Sequence, residues 1–249
     1  MKTMSLINKK GGVGKTTITV NLAYALAESC DLRVLVVDND DQGNATQFFG
    51  AQAESGLADV LTGADIRACL SKTRYPLIDL LPSDERLLEA NMAVIKDETI
   101  VQQSILKDAL QSIDEMYDIC LIDNPPSINA SVINALVASD EVIIVTTPDM
   151  YGLRGVEQMI TYINAIQAGY NPQLRFRGCL LNKFSMTPHG FKILAKLRKD
   201  IPLFRSRIRY TKDKPEAAAE EQQAIFEYSP NCGFSCDLVK FLRELMEGM

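Results

Sequence analysis

The chain has 249 residues, is 47% hydrophobic and 23% charged, and carries a net charge of −6, a balance that suits a globular protein with a sizeable core. Met1-Lys2 runs straight into a strand-like segment, and no stretch approaches the roughly 18 apolar residues of a membrane span. A secreted or membrane-spanning protein is therefore not expected, and a cytoplasmic one is. In chain order, short β-branched runs predict strands at 3–8, 33–38, 77–82, 118–123, 141–147, 176–182 and 203–208. Helical periodicity predicts helices at 16–28, 84–94, 99–113, 129–138, 152–168, 190–198 and 234–247. This alternation implies an α/β fold with a mostly parallel twisted sheet and helices on both faces. No repeat or linker divides the chain, so a single domain over 1–249 is expected, with no N-terminal helix-turn-helix domain.

The six cysteines, Cys30, Cys69, Cys120, Cys179, Cys232 and Cys236, fall mostly within apolar runs and read as reduced, buried small hydrophobes. Cys232 and Cys236 lack the second pair that a metal site needs. The single histidine, His189, reads as a residue of a loop or of a first helical turn. Charge is segregated: residues 175–214 hold twelve Lys/Arg against Asp200 and Asp213, a sum of +10, which leaves −16 for the rest. So few acids inside a basic stretch favour a polyanion-binding surface over a self-neutralised one.

The segment Gly11-Gly12-Val13-Gly14-Lys15-Thr16-Thr17 ends a predicted strand and opens a predicted helix, which is the setting of a P-loop. Glycines let successive N–H groups turn toward phosphate, and the helix N-terminus adds a dipole that favours anions. Lys15 is expected to neutralise the β- and γ-phosphates, and the Thr16 hydroxyl to ligate Mg²⁺. The strands at 33–38 and 118–123 end in Asp38-Asn39-Asp40 and Asp123. In a parallel sheet those carboxylates face a ligand beyond the strand ends, where they can manage Mg²⁺ and water.

Together, KKGGVGKTT at 9–17, VVDNDDQGNAT at 36–46, YDICLIDNPPS at 117–127 and the stretch 208–230 resemble the ParA/Soj branch of the ParA–MinD partition ATPases over essentially the whole chain. The resemblance implies ATP and Mg²⁺ as cofactors. It also implies that Lys10 is the signature lysine that reaches a partner subunit's phosphates in a face-to-face homodimer. By position, Asp40 then orients the attacking water with Asp38 beside it as a metal-site carboxylate, and Asp123 is the second Mg²⁺ anchor. Asn124-Pro125-Pro126 forms the switch loop, Asn182 contacts adenine, and Arg209 to Thr211 lie where the family has Pro-x-Asn. Asp41 replaces the usual proline after the catalytic aspartate, and Arg209 and Thr211 depart from the family pattern.

The cycle so implied is ATP binding, dimerisation, non-specific DNA binding on the nucleoid, and slow hydrolysis stimulated by a ParB-like centromere-binding or adaptor protein. Lys192, Lys196, Lys199, Arg205, Arg207, Lys212 and Lys214 are the expected phosphate contacts to DNA. One alternative is a MinD-like membrane ATPase anchored by a C-terminal amphipathic helix. Leu238, Phe241, Leu242, Leu245 and Met246 do share a face at 237–249, but the acids beside them suit an anionic bilayer poorly, and a core-packed helix is expected instead. A ParA-like ATPase that positions a protein cargo shares the same chemistry and stays open. A nitrogenase-iron-protein-like reductase is set aside, because Cys120 lies within a predicted strand with no suitable second cysteine.

Overall fold

The computed structural model describes residues 1–51, 54–97 and 102–247. The chain begins with β1 (Lys2–Ile7), α1 (Lys15–Cys30) and β2 (Val34–Asp38), then the short helices α2 (Asn44–Phe48), α3 (Leu57–Leu61) and α4 (Ile66–Cys69). It continues with β3 (Ser71–Lys72), β4 (Ile78–Leu81), α5 (Arg86–Lys96), α6 (Ile105–Gln111), β5 (Ile119–Asp123), α7 (Ala130–Ala138) and β6 (Glu141–Thr146). The last third holds α8 (Met150–Gly169), β7 (Arg175–Phe184), α9 (Pro188–Asp200), β8 (Leu203–Arg209), α10 (Lys214–Glu220), α11 (Ile225–Tyr228) and α12 (Gly233–Glu247). Among the described residues, eight strands make one sheet in the order β3-β4-β2-β5-β1-β6-β7-β8, parallel throughout except for β3.

Both faces of the sheet are covered, which is why its strands read as unbroken apolar runs rather than alternating ones. Along β2, Val34 and Val36 pack with α1 and α12, while Leu35 and Val37 pack with α3, α5 and α6. On the second face, Val142 and Ile144 of β6 meet α8 and α9. At α12, Leu238, Phe241, Leu242 and Leu245 are buried against this core, so the apolar face weighed as a membrane anchor is spent on packing. No described helix is long and apolar enough to cross a membrane.

Each predicted strand has its counterpart. The helix expected at 99–113 is described only as Ile105–Gln111, and residues 99–101 lie outside the described residues. Helices α2, α3, α4, α10 and α11 span seven residues or fewer, too short to show a period. Cys69, Cys120, Cys179 and Cys232 are buried, but Cys30 is half-buried and Cys236 is exposed on the solvent side of α12. His189 falls in the first turn of α9, after the Thr187 cap; its side chain lies outside what is described.

Candidate nucleotide site

β1 ends in the middle of the sheet, and the loop that follows is shaped by its own side chains. Asn8 donates to the Val145 carbonyl and accepts from the Lys10 amide, while Val13 is buried in the core. Gly14 must be glycine on two counts: its φ is 89°, and a Cβ there would stand 2.3 Å from the Asn182 amide nitrogen. Gly11 and Gly12 are exposed with open space around them, so their backbone is free to meet an anion. Above the loop lies a cavity of about 760 Å³, bounded by Gly11, Gly12, Gly14 to Thr17, Asp40 to Gln42, Pro125 to Ser127, Ala219, Glu220 and Gln222.

Lys15 opens α1 and is 7% exposed. Burial pulls its ammonium below the usual lysine range, and Asp123 and Asp40 pull it back up. Asp123 is 1% exposed and accepts from the Thr16 and Thr19 hydroxyls, the former at 2.6 Å. Burial, with Asp38 alongside, pushes its carboxyl well above the ordinary range against the Thr16 hydrogen bond and Lys15. A buried carboxylate beside a hydroxyl is a hard-oxygen donor set, which fits Mg²⁺. Asp40 is half-buried at the cavity edge and accepts from the Gln42 amide. Asn124 is turned inward, bonded to Asn39 and to the Leu6 and Ile122 carbonyls. It anchors the loop whose Pro125, Pro126 and Ser127 face the cavity.

Four of the expected residues have partners that the sequence did not reveal. Asp38, expected beside the metal, is fully buried and accepts from the Thr46 amide and hydroxyl and from the Asp40 amide. It lies beside Asp123 on the neighbouring strand and, through these bonds, fixes the Asp40 loop. Arg209, expected near adenine, borders a small cavity with Asn182 and Thr211, and its guanidinium is clamped on Asp237 at 2.6 and 2.8 Å, which braces β8 to α12. Arg205 is engaged by Glu244 and Glu247, so it is not free for DNA phosphate. Arg207 is half-buried with its guanidinium over the Phe184 ring. The basic stretch is thus partly neutralised by acids from other elements, with Glu141 doing the same for Arg175 and Arg177. Lys212 and Lys214 are exposed, the first near Asp213 and the second on the Ser229 hydroxyl. Lys192, Lys196 and Lys199 are exposed along one side of α9.

Asn182, at the end of β7, donates to the Val13 carbonyl at 2.8 Å and accepts from the Lys183 amide. Its NH₂ retains a second hydrogen for a ligand. With Thr211 it borders a smaller cavity of about 40 Å³ beside Gly14 and Thr17. Lys10 does not border the large cavity; its ammonium bonds to Thr147 at 3.0 Å and Asp149 at 2.6 Å. Burial raises the Asp149 carboxyl, but hydrogen bonds from Lys10, Thr147 and the Gly152 amide outweigh it and hold it at about 2. Sequence reading missed this latch, and no local pattern marks Asp149. Thr46 was within reach, since it closes the same VVDNDDQGNAT run as Asp38.

A family model described as an AAA domain matches residues 1–176. The sporulation initiation inhibitor protein Soj of Bacillus subtilis is 36% identical over 203 residues, covering 80% of this chain and 79% of its own. The chromosome partitioning protein ParA of Caulobacter vibrioides is 35% identical over 190 residues, covering 74% and 70%. The chain belongs to the ParA/Soj family of partition ATPases. The fold agrees: cobyrinic acid a,c-diamide synthase from Mycobacterium smegmatis, solved with a bound ATP analogue and magnesium, superposes with a TM-score of 0.80 at 31% identity. That match covers 89% of this chain and 92% of the other. The same synthase is also solved with ADP and magnesium, and ATP with Mg²⁺ fits the site of this ParA-type ATPase. Its Thr16 and Asp123 supply the oxygens that fit the metal, and its glycine loop fits the phosphates.

Proposed function

We propose that this ATPase is a DNA partition switch. ATP bound on Gly11 to Thr17 closes two chains face to face, and Lys10 of each reaches the other's phosphates. The dimer then holds DNA without sequence preference, which places it on the nucleoid. Slow hydrolysis to ADP and phosphate, stimulated by a ParB-like partner, resets it. The observation that carries this reading is the divided duty of the lysines. Lys15 is buried at its own phosphate cradle, whereas Lys10 is 34% exposed and held outside that cavity on Asp149.

In the hydrolytic step Lys15 balances phosphate charge, Thr16 and Asp123 would hold the Mg²⁺ that supplies further positive charge, and Asp40 at the cavity edge orients water. Asp38 holds the Asp40 loop in place. The side of α9 bearing Lys192, Lys196 and Lys199 is the DNA surface, joined by Lys212 and Lys214. Two copies in one dimer bind the same duplex, so their phosphate contacts combine.

DNA binding measured with ATP, ADP and no nucleotide across a salt series tests the proposal. ATP-dependent, sequence-independent binding with a steep salt slope is the expected result. Binding to liposomes without binding to DNA would overturn it.

A further inference from the structure

We infer that Lys183 is a nucleotide-positioning residue: its alkyl stem forms one wall of the base slot, and its ammonium tethers that wall to the phosphate loop. This deepens the ATP-site reading and rests on it. Successive residues of a strand normally send their side chains to opposite faces of a sheet. Asn182 and Lys183 break that rule. Lys183 has φ 54°, a conformation uncommon outside glycine, and its amide is held there by the Asn182 side-chain oxygen at 2.9 Å. As a result both side chains turn to the same loop: Asn182 donates to the Val13 carbonyl, and the Lys183 ammonium donates to the Gly12 carbonyl at 3.2 Å. A strained backbone that persists where two side chains converge on a ligand loop is the pattern of a functional constraint.

The placement supplies the second half of the argument. Lys183 borders both the large cavity over the phosphate loop and the small cavity beyond it, which Asn182, Arg209, Tyr210 and Thr211 also border. It therefore stands at the joint between them. Asp40 and Pro125 border the large cavity and not the small one, so on the proposed reading they mark the end where the terminal phosphate reacts. The nucleoside end then leaves past Gly14 and Thr17 into the small cavity. A base there lies along the methylenes of Lys183, an apolar surface suited to a flat ring, while the charged end stays on the loop. The ammonium meets a neutral carbonyl rather than a carboxylate, so it stabilises the loop's curl without taking an acid away from Mg²⁺.

The test separates stem from charge. Binding of Mg-ATP and of Mg-tripolyphosphate, which has the phosphates and no base, is measured by calorimetry for the parent chain, Lys183→Ala and Lys183→Met. Methionine keeps an unbranched stem without the charge. For Mg-ATP, Lys183→Ala should bind about tenfold more weakly and Lys183→Met within about threefold of the parent. For tripolyphosphate the two variants should match each other. Equal losses on ATP for Ala and Met, or a loss for Ala that is the same on ATP and tripolyphosphate, would overturn the wall; so would parental ATP affinity in a folded Lys183→Ala. Lys15→Ala is run alongside: if it keeps tripolyphosphate affinity, the phosphate site itself is misplaced and the failure lies there.

Discussion

Replacing Asp149 by Asn should tighten ATP-dependent dimerisation. Asp149 accepts from the Lys10 ammonium at 2.6 Å and, through its other oxygen, from the Gly152 amide at 2.8 Å as the cap of α8. Asparagine keeps a capping oxygen and removes the charge, so the helix start survives. The two side chains of the pair are 34% and 38% exposed. Solvent and salt therefore discount it to about 1 kcal/mol, well short of what the depressed carboxyl alone would suggest. A two-fold dimer must break the pair in both chains. The total is then about 2 kcal/mol, or roughly a thirtyfold tighter dimer. Light scattering or sedimentation with a non-hydrolysable ATP analogue measures it directly. In a Lys10→Ala background the effect should vanish. Unchanged or weaker dimerisation in Asp149→Asn would refute the view that Lys10 must leave Asp149 to serve a second chain.

Asp40→Ala should retain ATP and dimer while losing most turnover in a phosphate-release assay; normal turnover would remove Asp40 from its role. Thr46→Val takes a hydrogen bond from buried Asp38 and orphans the Ser83 amide. It should cost about 2 kcal/mol by chemical denaturation, and an unchanged midpoint would show that the Asp40 loop is held by something else. Gly14→Ala forces φ 89° on a residue with a side chain and drives a methyl into Asn182. Nucleotide binding should be lost in a filter or calorimetric assay, and parental affinity would mean that the loop relaxes freely. Replacing Lys192, Lys196 and Lys199 by Ala should flatten the log–log salt dependence of DNA binding by up to about 3 for each chain. An unaltered slope would move the DNA surface off α9.

How far the sequence could be read depended on how local each determinant is. The glycine loop, Lys15 and Thr16 share one strand-to-helix turn, and the apolar strands announce a doubly covered sheet, so both were legible. Asp38 was not, because an aspartate at a strand end looks the same whether it faces a metal or a threonine. Its threonine is reached only through the left-handed turn at Gly43, φ 60°. Arg205 and Arg209 looked available in a stretch with few acids, yet their partners Glu244, Glu247 and Asp237 sit a full helix later. The Lys10 latch spans 139 residues, and nothing in the local pattern of either end marks it. Lys183 was hidden by its neighbour, since a lysine after the expected adenine contact reads as one more surface charge.

The place of β1 in the sheet has a consequence for how information leaves the site. Its neighbours are β5, which ends in Asp123, and β6, which leads to Thr147 and Asp149. The loop after β1 is thus strung between two listeners, one a carboxylate that fits a metal ion and the other holding the lysine that the proposed switch offers to a second chain. The strands beneath are buried on both faces and cannot slide, so whatever ATP says to one side must be relayed through the loop itself. On the proposed reading, a nucleotide arriving there is heard on the left as charge and on the right as permission to associate.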